Sequence, residues 1–211
     1  MFEKTAKVAL TALVAAGMSA AVAVPAEAAP KKAAKCHLGL WKTTGLKANI
    51  SGKTPEGFKQ DVDYKGMAGI KLKISPQRIV YDFTGSKKET IKGIGADGKP
   101  MEAWEQLTGV LYLPSKVTSD KKGLKGKIVT RNKKASGPAT GMGMTIKPKK
   151  ASWGDPWKVA AHAKIGHFDT PVVKAAKFAC NPKKKTLRVV DVRKWATFTE
   201  TVDMRFKLVR R

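Results

Sequence analysis

Through most of this chain, aliphatic or aromatic residues recur at every second position with lysine or arginine between them. Ile70, Leu72 and Ile74 alternate with Lys71 and Lys73, and Leu124 and Ile128 are offset from Lys125 and Lys127. Leu187 and Val189 flank Arg188, while Met204, Phe206 and Leu208 flank Arg205 and Lys207. Successive side chains of a strand point to opposite faces, so the pattern describes antiparallel sheet with an apolar inside and a cationic outside. Strands are expected over 38–50, 67–75, 78–84, 88–94, 101–113, 123–131, 140–147, 157–165, 172–179, 186–192 and 196–209, with 157–165 a short helix as the alternative. Turn signals separate them, Asp97-Gly98 being the strongest hairpin cue. So many strands in one small domain hide their edges either by closing into an up-and-down β-barrel or by packing as a β-sandwich.

The first residues carry an address. Lys4 and Lys7 precede an apolar run from Val8 to Val24, and Ala26-Glu27-Ala28 supplies an A-x-A cleavage site. Residues 1–28 therefore read as a secretory signal peptide, with cleavage after Ala26 as the alternative. Residues 29–35 read as a flexible mature N-terminus and 36–211 as a single domain. Two lysines and two glutamates lie in the signal, so the exported protein keeps the formal charge of +26. Lysine supplies 35 of the 42 cationic residues and arginine 7. Lysine is a hydrated point charge rather than a bidentate fork, so this charge suits diffuse attraction to anionic cell-envelope polymers or lipids and not sequence-specific nucleic-acid readout. Cys36 and Cys180 are the only cysteines, and in an exported protein they are expected to form one disulfide.

Gly39-Leu40-Trp41 at the start of the first strand resembles the G-x-W that opens lipocalin-type and other calycin barrels. There the tryptophan plugs the closed end under a basic residue from the last strand. That resemblance implies a barrel floor of Gly39, Trp41 and Arg210, with Arg205 as the alternative basic residue. Val80-Tyr81-Asp82-Phe83-Thr84-Gly85-Ser86, Gly109-Val110-Leu111-Tyr112-Leu113-Pro114, Phe178-Ala179-Cys180 and Thr186-Leu187-Arg188-Val189 extend it to secreted actinobacterial proteins of lipocalin-like build. Membership implies a barrel with room for an internal pocket. Leu40 departs from the small polar residue frequent at that position in lipocalins, as does the lysine content from their composition.

Catalytic patterns are weak. Gly93-Ile94-Gly95-Ala96-Asp97-Gly98 matches G-x-G-x-x-G by letter, but Pro100 follows where a dinucleotide site needs a helix, so a glycine-rich hairpin is expected. His162 and His167 lack the i, i+4 spacing and intervening glutamate of a zinc protease, and no metal or cofactor is assigned to them. Glu102 and Glu105 fall on opposite faces of a strand, and Asp61 and Asp63 read as part of a solvated polar loop. The expectation is a secreted, non-enzymatic binding protein with a small apolar or amphipathic ligand inside the barrel. Ile70, Leu72, Ile74, Tyr81, Phe83, Met142 and Met144 would line its pocket, with Trp153 and Trp157 at the mouth. The alternative is a solid barrel whose lysine surface binds envelope polyanions.

Overall fold

The computed structural model describes residues 35–211. The expected signal peptide and residues 29–34 of the expected flexible segment lie outside the described residues. Eight strands close a ring: β1 (Gly39–Lys53), β3 (Lys71–Ser75), β4 (Arg78–Asp82), β7 (Val110–Ser119), β8 (Lys125–Thr130), β12 (Ala175–Asn181), β13 (Thr186–Lys194) and β14 (Phe198–Arg210). Around the ring each strand lies antiparallel to the next ring strand in the chain, and β14 and β3 both return to β1. This is the up-and-down barrel rather than the sandwich.

The intervening segments build a second feature, a wing of six short strands. β2 (Lys59–Gly66) is inserted between β1 and β3, and β5 (Glu89–Ile94) with β6 (Pro100–Thr108) between β4 and β7. β9 (Thr140–Lys147), β10 (Ala151–Ser152), β11 (Trp157–Lys158) and the one α-helix among the described residues, α1 (Val159–Lys164), are inserted between β8 and β12. The wing strands pair in the order β2, β5, β6, β9, with β10 and β11 both on the outer edge of β9. β1 belongs to both sheets. Gly39 to Lys42 pair with β3, and Leu46 to Lys53 pair with β2. A bulge opposite β14 at Thr43/Gly45 marks the changeover.

Three sequence expectations change. Residues 59–66 form a strand rather than a loop, with Asp61 and Asp63 exposed on it and Val62 buried. The expected strand 101–113 breaks at Gly109, whose φ of +78° turns the chain from wing into barrel. Residues 157–165 are two strand residues followed by the helix. The Asp97-Gly98 segment is the β5–β6 hairpin, so its glycines hold no nucleotide-binding helix.

The barrel is filled by its own side chains. Trp41, Leu72, Ile79, Tyr81, Phe83, Leu111, Leu113, Ile128 and Phe206 are each at most 1% exposed. Lys71, Lys73, Lys125, Lys127, Arg188, Arg205 and Lys207 are exposed on the opposite faces of the same strands. Cys36 and Cys180 are bonded, tying the entry of β1 to the end of β12. Trp41 donates its indole N–H to the His37 carbonyl at 2.9 Å. Gly39 sits where a Cβ would lie 2.7 Å from the Arg210 carbonyl. The Arg210 side chain is exposed, so Arg210 meets the barrel floor through its backbone rather than as a lid on the tryptophan.

Candidate functional site

The residues expected to line a pocket separate into two groups. Ile70, Leu72, Ile74, Tyr81 and Phe83 are buried in the main core, where Tyr81 and Phe83 stack at 5.5 Å. Met142 and Met144 lie on β9 of the wing. Met142 is exposed on a shallow groove of about 220 Å³ with Gln106, Thr140 and Pro156, which corrects its expected place inside the barrel. The reason is glycine on the other face of β9. A Cβ on Gly141 would collide with the Trp157 ring, and one on Gly143 with the Trp153 ring. The two indoles thus cover the glycine face of β9, Trp157 half-buried and Trp153 exposed, and the methionines take the opposite face.

A more pointed constellation lies where the wing faces the segment after α1. A cleft of about 280 Å³ is walled by Ile50, Tyr64, Phe168, Trp195 and Phe198 and carries Glu105, His167, Asp169 and Glu200. A larger groove, about 480 Å³, runs outside the barrel beside Arg188, Arg205 and Lys207, but no buried titratable group opens onto it.

Strand register assembles the acidic wall. Glu89 and Glu105 are directly cross-strand on β5 and β6, with Gly66 opposite Glu89 and Gly143 opposite Glu105. Like charges in that position repel, and both side chains are buried. Neither Glu89 oxygen has a hydrogen-bond partner, nor does Glu105 Oε1. Burial, reinforced by the neighbouring carboxyls Asp169 and Glu200, pushes Glu105 up to about 8. Burial raises Glu89 well above the usual carboxylate range, with Glu105 and Glu200 adding to the shift. The Tyr64 phenol is raised for the same reasons. Burial and the neighbouring carboxyls favour the neutral form of all three groups.

Arg193 is the fixed cation beside them. Its guanidinium bonds Asp191 at 3.1 Å, Glu200 at 3.0 Å and the Phe168 carbonyl at 2.9 Å, and also donates to the Val172 carbonyl. It therefore pins the 168–172 segment to the barrel end. Asp191 also accepts from the Lys174 and Ala175 amides. Burial still leaves Glu200 above its ordinary value, outweighing the Arg193 charge.

The third part is a histidine pair folded onto one aspartate. Helix α1 stops at Lys164, and Gly166, at φ +88°, reverses the chain in the left-handed C′ conformation. That reversal returns His167 against His162, with ring centroids 5.0 Å apart, edge to face. His162 Nδ1 is hydrogen-bonded to Asp169 Oδ1 at 3.0 Å, and His167 Nε2 lies 3.7 Å from the same oxygen. Trp157 stacks on His162 at 5.9 Å. Asp169 Oδ2 and Trp157 Nε1 are both buried without a hydrogen-bond partner, although the indole still stabilises the carboxylate. Burial raises Asp169 despite the imidazoles and the indole, all of which favour its ionised form.

No protein-family model, no curated protein and no solved structure matches this chain.

Proposed function

We propose that the protein is an extracellular, non-enzymatic binding protein that takes a small amphipathic ligand bearing a positively charged group. The site is the cleft at the end of the barrel, not the barrel interior. The observation that carries this reading is the pairing of aromatic walls with buried carboxyls that have unfilled acceptor oxygens. An ammonium group entering there gains hydrogen bonds to ionised carboxylates and the negative faces of Tyr64, Phe168, Trp195 and Phe198. Its apolar remainder is covered by the same rings. A volume of about 280 Å³ is small for a ligand pocket and suits a compact molecule. The disulfide supports an oxidising compartment. The lipocalin-like secreted actinobacterial group remains the family this reading favours, on its short motifs and the barrel.

Calorimetry with phenethylammonium and its uncharged counterpart phenethyl alcohol tests the proposal. The ammonium is expected to bind more tightly, more so at pH 8 than at pH 6 because Glu105 must ionise. Glu105→Gln is expected to weaken it by at least about tenfold, the scale for losing a buried charge partner. Equal binding of alcohol and amine, or indifference to Glu105→Gln, overturns the reading.

A second reading rests on the outer surface. The groove beside Arg188, Arg205 and Lys207, with exposed lysines around it, favours anionic envelope polymers or lipids. Such binding falls steeply with salt, whereas occupation of the cleft depends on pH.

A further inference from the structure

We propose that His162, His167 and Asp169 form a three-ligand site for a divalent transition metal of the zinc class, opening onto the acid cleft. Nδ1 of His162, Nε2 of His167 and a carboxylate oxygen of Asp169 all lie within 4.8 Å of one another. Two of the spacings are 3.0 and 3.7 Å. A tetrahedral ion with bonds of about 2.1 Å sets its ligand atoms about 3.4 Å apart, and each of those two spacings is within a few tenths of an ångström of that. Two imidazoles and a carboxylate are a donor set that zinc and its neighbours accept and that calcium and magnesium do not favour.

Independent observations point to a cation here. The Asp169 side chain is 4% exposed, yet its Oδ2 makes no hydrogen bond and has the Trp157 indole N–H, itself unpartnered, as its neighbouring donor. Glu105, 7% exposed and sharing the cleft with His167 and Asp169, also holds an unpartnered oxygen. Buried acceptors without donors are costly, and a metal ion held by Asp169 would relieve that cost at its own carboxylate. The ligand geometry is held from outside the site: Trp157 stacks on His162, Gly166 fixes the reversal, and Arg193 anchors Phe168 next to the aspartate. His167 and Asp169 line the cleft, so the site borders it. The site adjoins the ammonium cleft and shares Asp169 with it, but its two imidazoles are donors that an ammonium group does not need.

The test is titration of the metal-free protein with Zn²⁺ by calorimetry and with Co²⁺ by visible absorption. One equivalent is expected, with the intense bands of low-coordinate cobalt. His167 is exposed, its side chain 66% accessible, so His167→Ala preserves the fold. It and His162→Ala are each expected to lower zinc affinity by at least about tenfold, no less than the loss seen for outer-shell partners. Glu105→Gln is expected to weaken phenethylammonium binding while one-to-one zinc binding persists. That split separates failure of this site from failure of the ligand reading. Absence of one-to-one binding, or binding that survives both histidine variants, overturns the proposal.

Discussion

The barrel interior and the acid cleft are supplied in part by the same two strands, under opposite rules. On β13 and β14, Leu187, Val189, Met204 and Phe206 point into a dry apolar core, while Asp191, Arg193 and Glu200 hold the same inward parity toward the cleft. Among the described residues, the buried side-chain polar atoms without partners are Thr54 Oγ1 and atoms of Glu89, Glu105, Trp157 and Asp169. None of them belongs to the barrel core. Natural chains depart from consistent packing where something other than stability is being selected. The contrast teaches where to look: the barrel stabilises, and the cleft holds groups at a cost.

The largest expected effect breaks the hinge between the two regions. Arg193→Ala leaves Asp191 and Glu200 as uncompensated buried charges and frees the 168–172 segment. It is expected to cost about 3–5 kcal/mol in urea unfolding. A loss under about 1 kcal/mol would mean that the segment holds itself. Within the barrel, Leu111→Ala removes a fully buried side chain from a filled core. About 2–5 kcal/mol is expected, with no change in cleft ligand or metal binding. A loss of binding there would show that the regions are not separable.

The third effect is a slope. Folded Glu105 loses its proton near pH 8, against an ordinary value of 4.5. Between those limits the folded chain holds a proton that the unfolded chain has released, so stability is full below pH 4.5 and falls as pH rises toward 8. One such proton contributes a slope of about 1.4 kcal/mol per pH unit. Glu89, Glu200 and Asp169, raised by the same burial, add slopes of the same sign. Glu105→Gln is expected to flatten the pH dependence of the melting temperature by one proton's share. An unchanged slope would place Glu105 in water.

The barrel was legible because its signal is redundant. Each ring strand repeats the apolar–cationic alternation, and two cysteines in one chain leave one internal pairing. The wing was harder. β2 reads Lys-Gln-Asp-Val-Asp-Tyr-Lys-Gly, with only Val62 and Tyr64 to mark an inner face. The cleft carboxylates did carry a signal that charge counting passes over. Glu105 shares parity with Ala103 and Leu107, Glu89 with Ile91, and Glu200 with Val202 and Met204. A carboxylate on the apolar parity of a strand is marked as a buried acid by its position alone. The histidine site lay beyond sequence spacing, because five residues bring two imidazoles together only when a left-handed glycine folds the chain between them.

β1 runs through both sheets as a common spine, and this links local binding to global endurance. The wing cannot separate from the ring without stripping the distal half of β1 from β2, so the two are expected to melt in one transition. A metal ion or ammonium ligand that recognises only the folded cleft then protects strands it never touches. Occupancy at one end of the molecule is therefore readable as heat tolerance of the whole barrel.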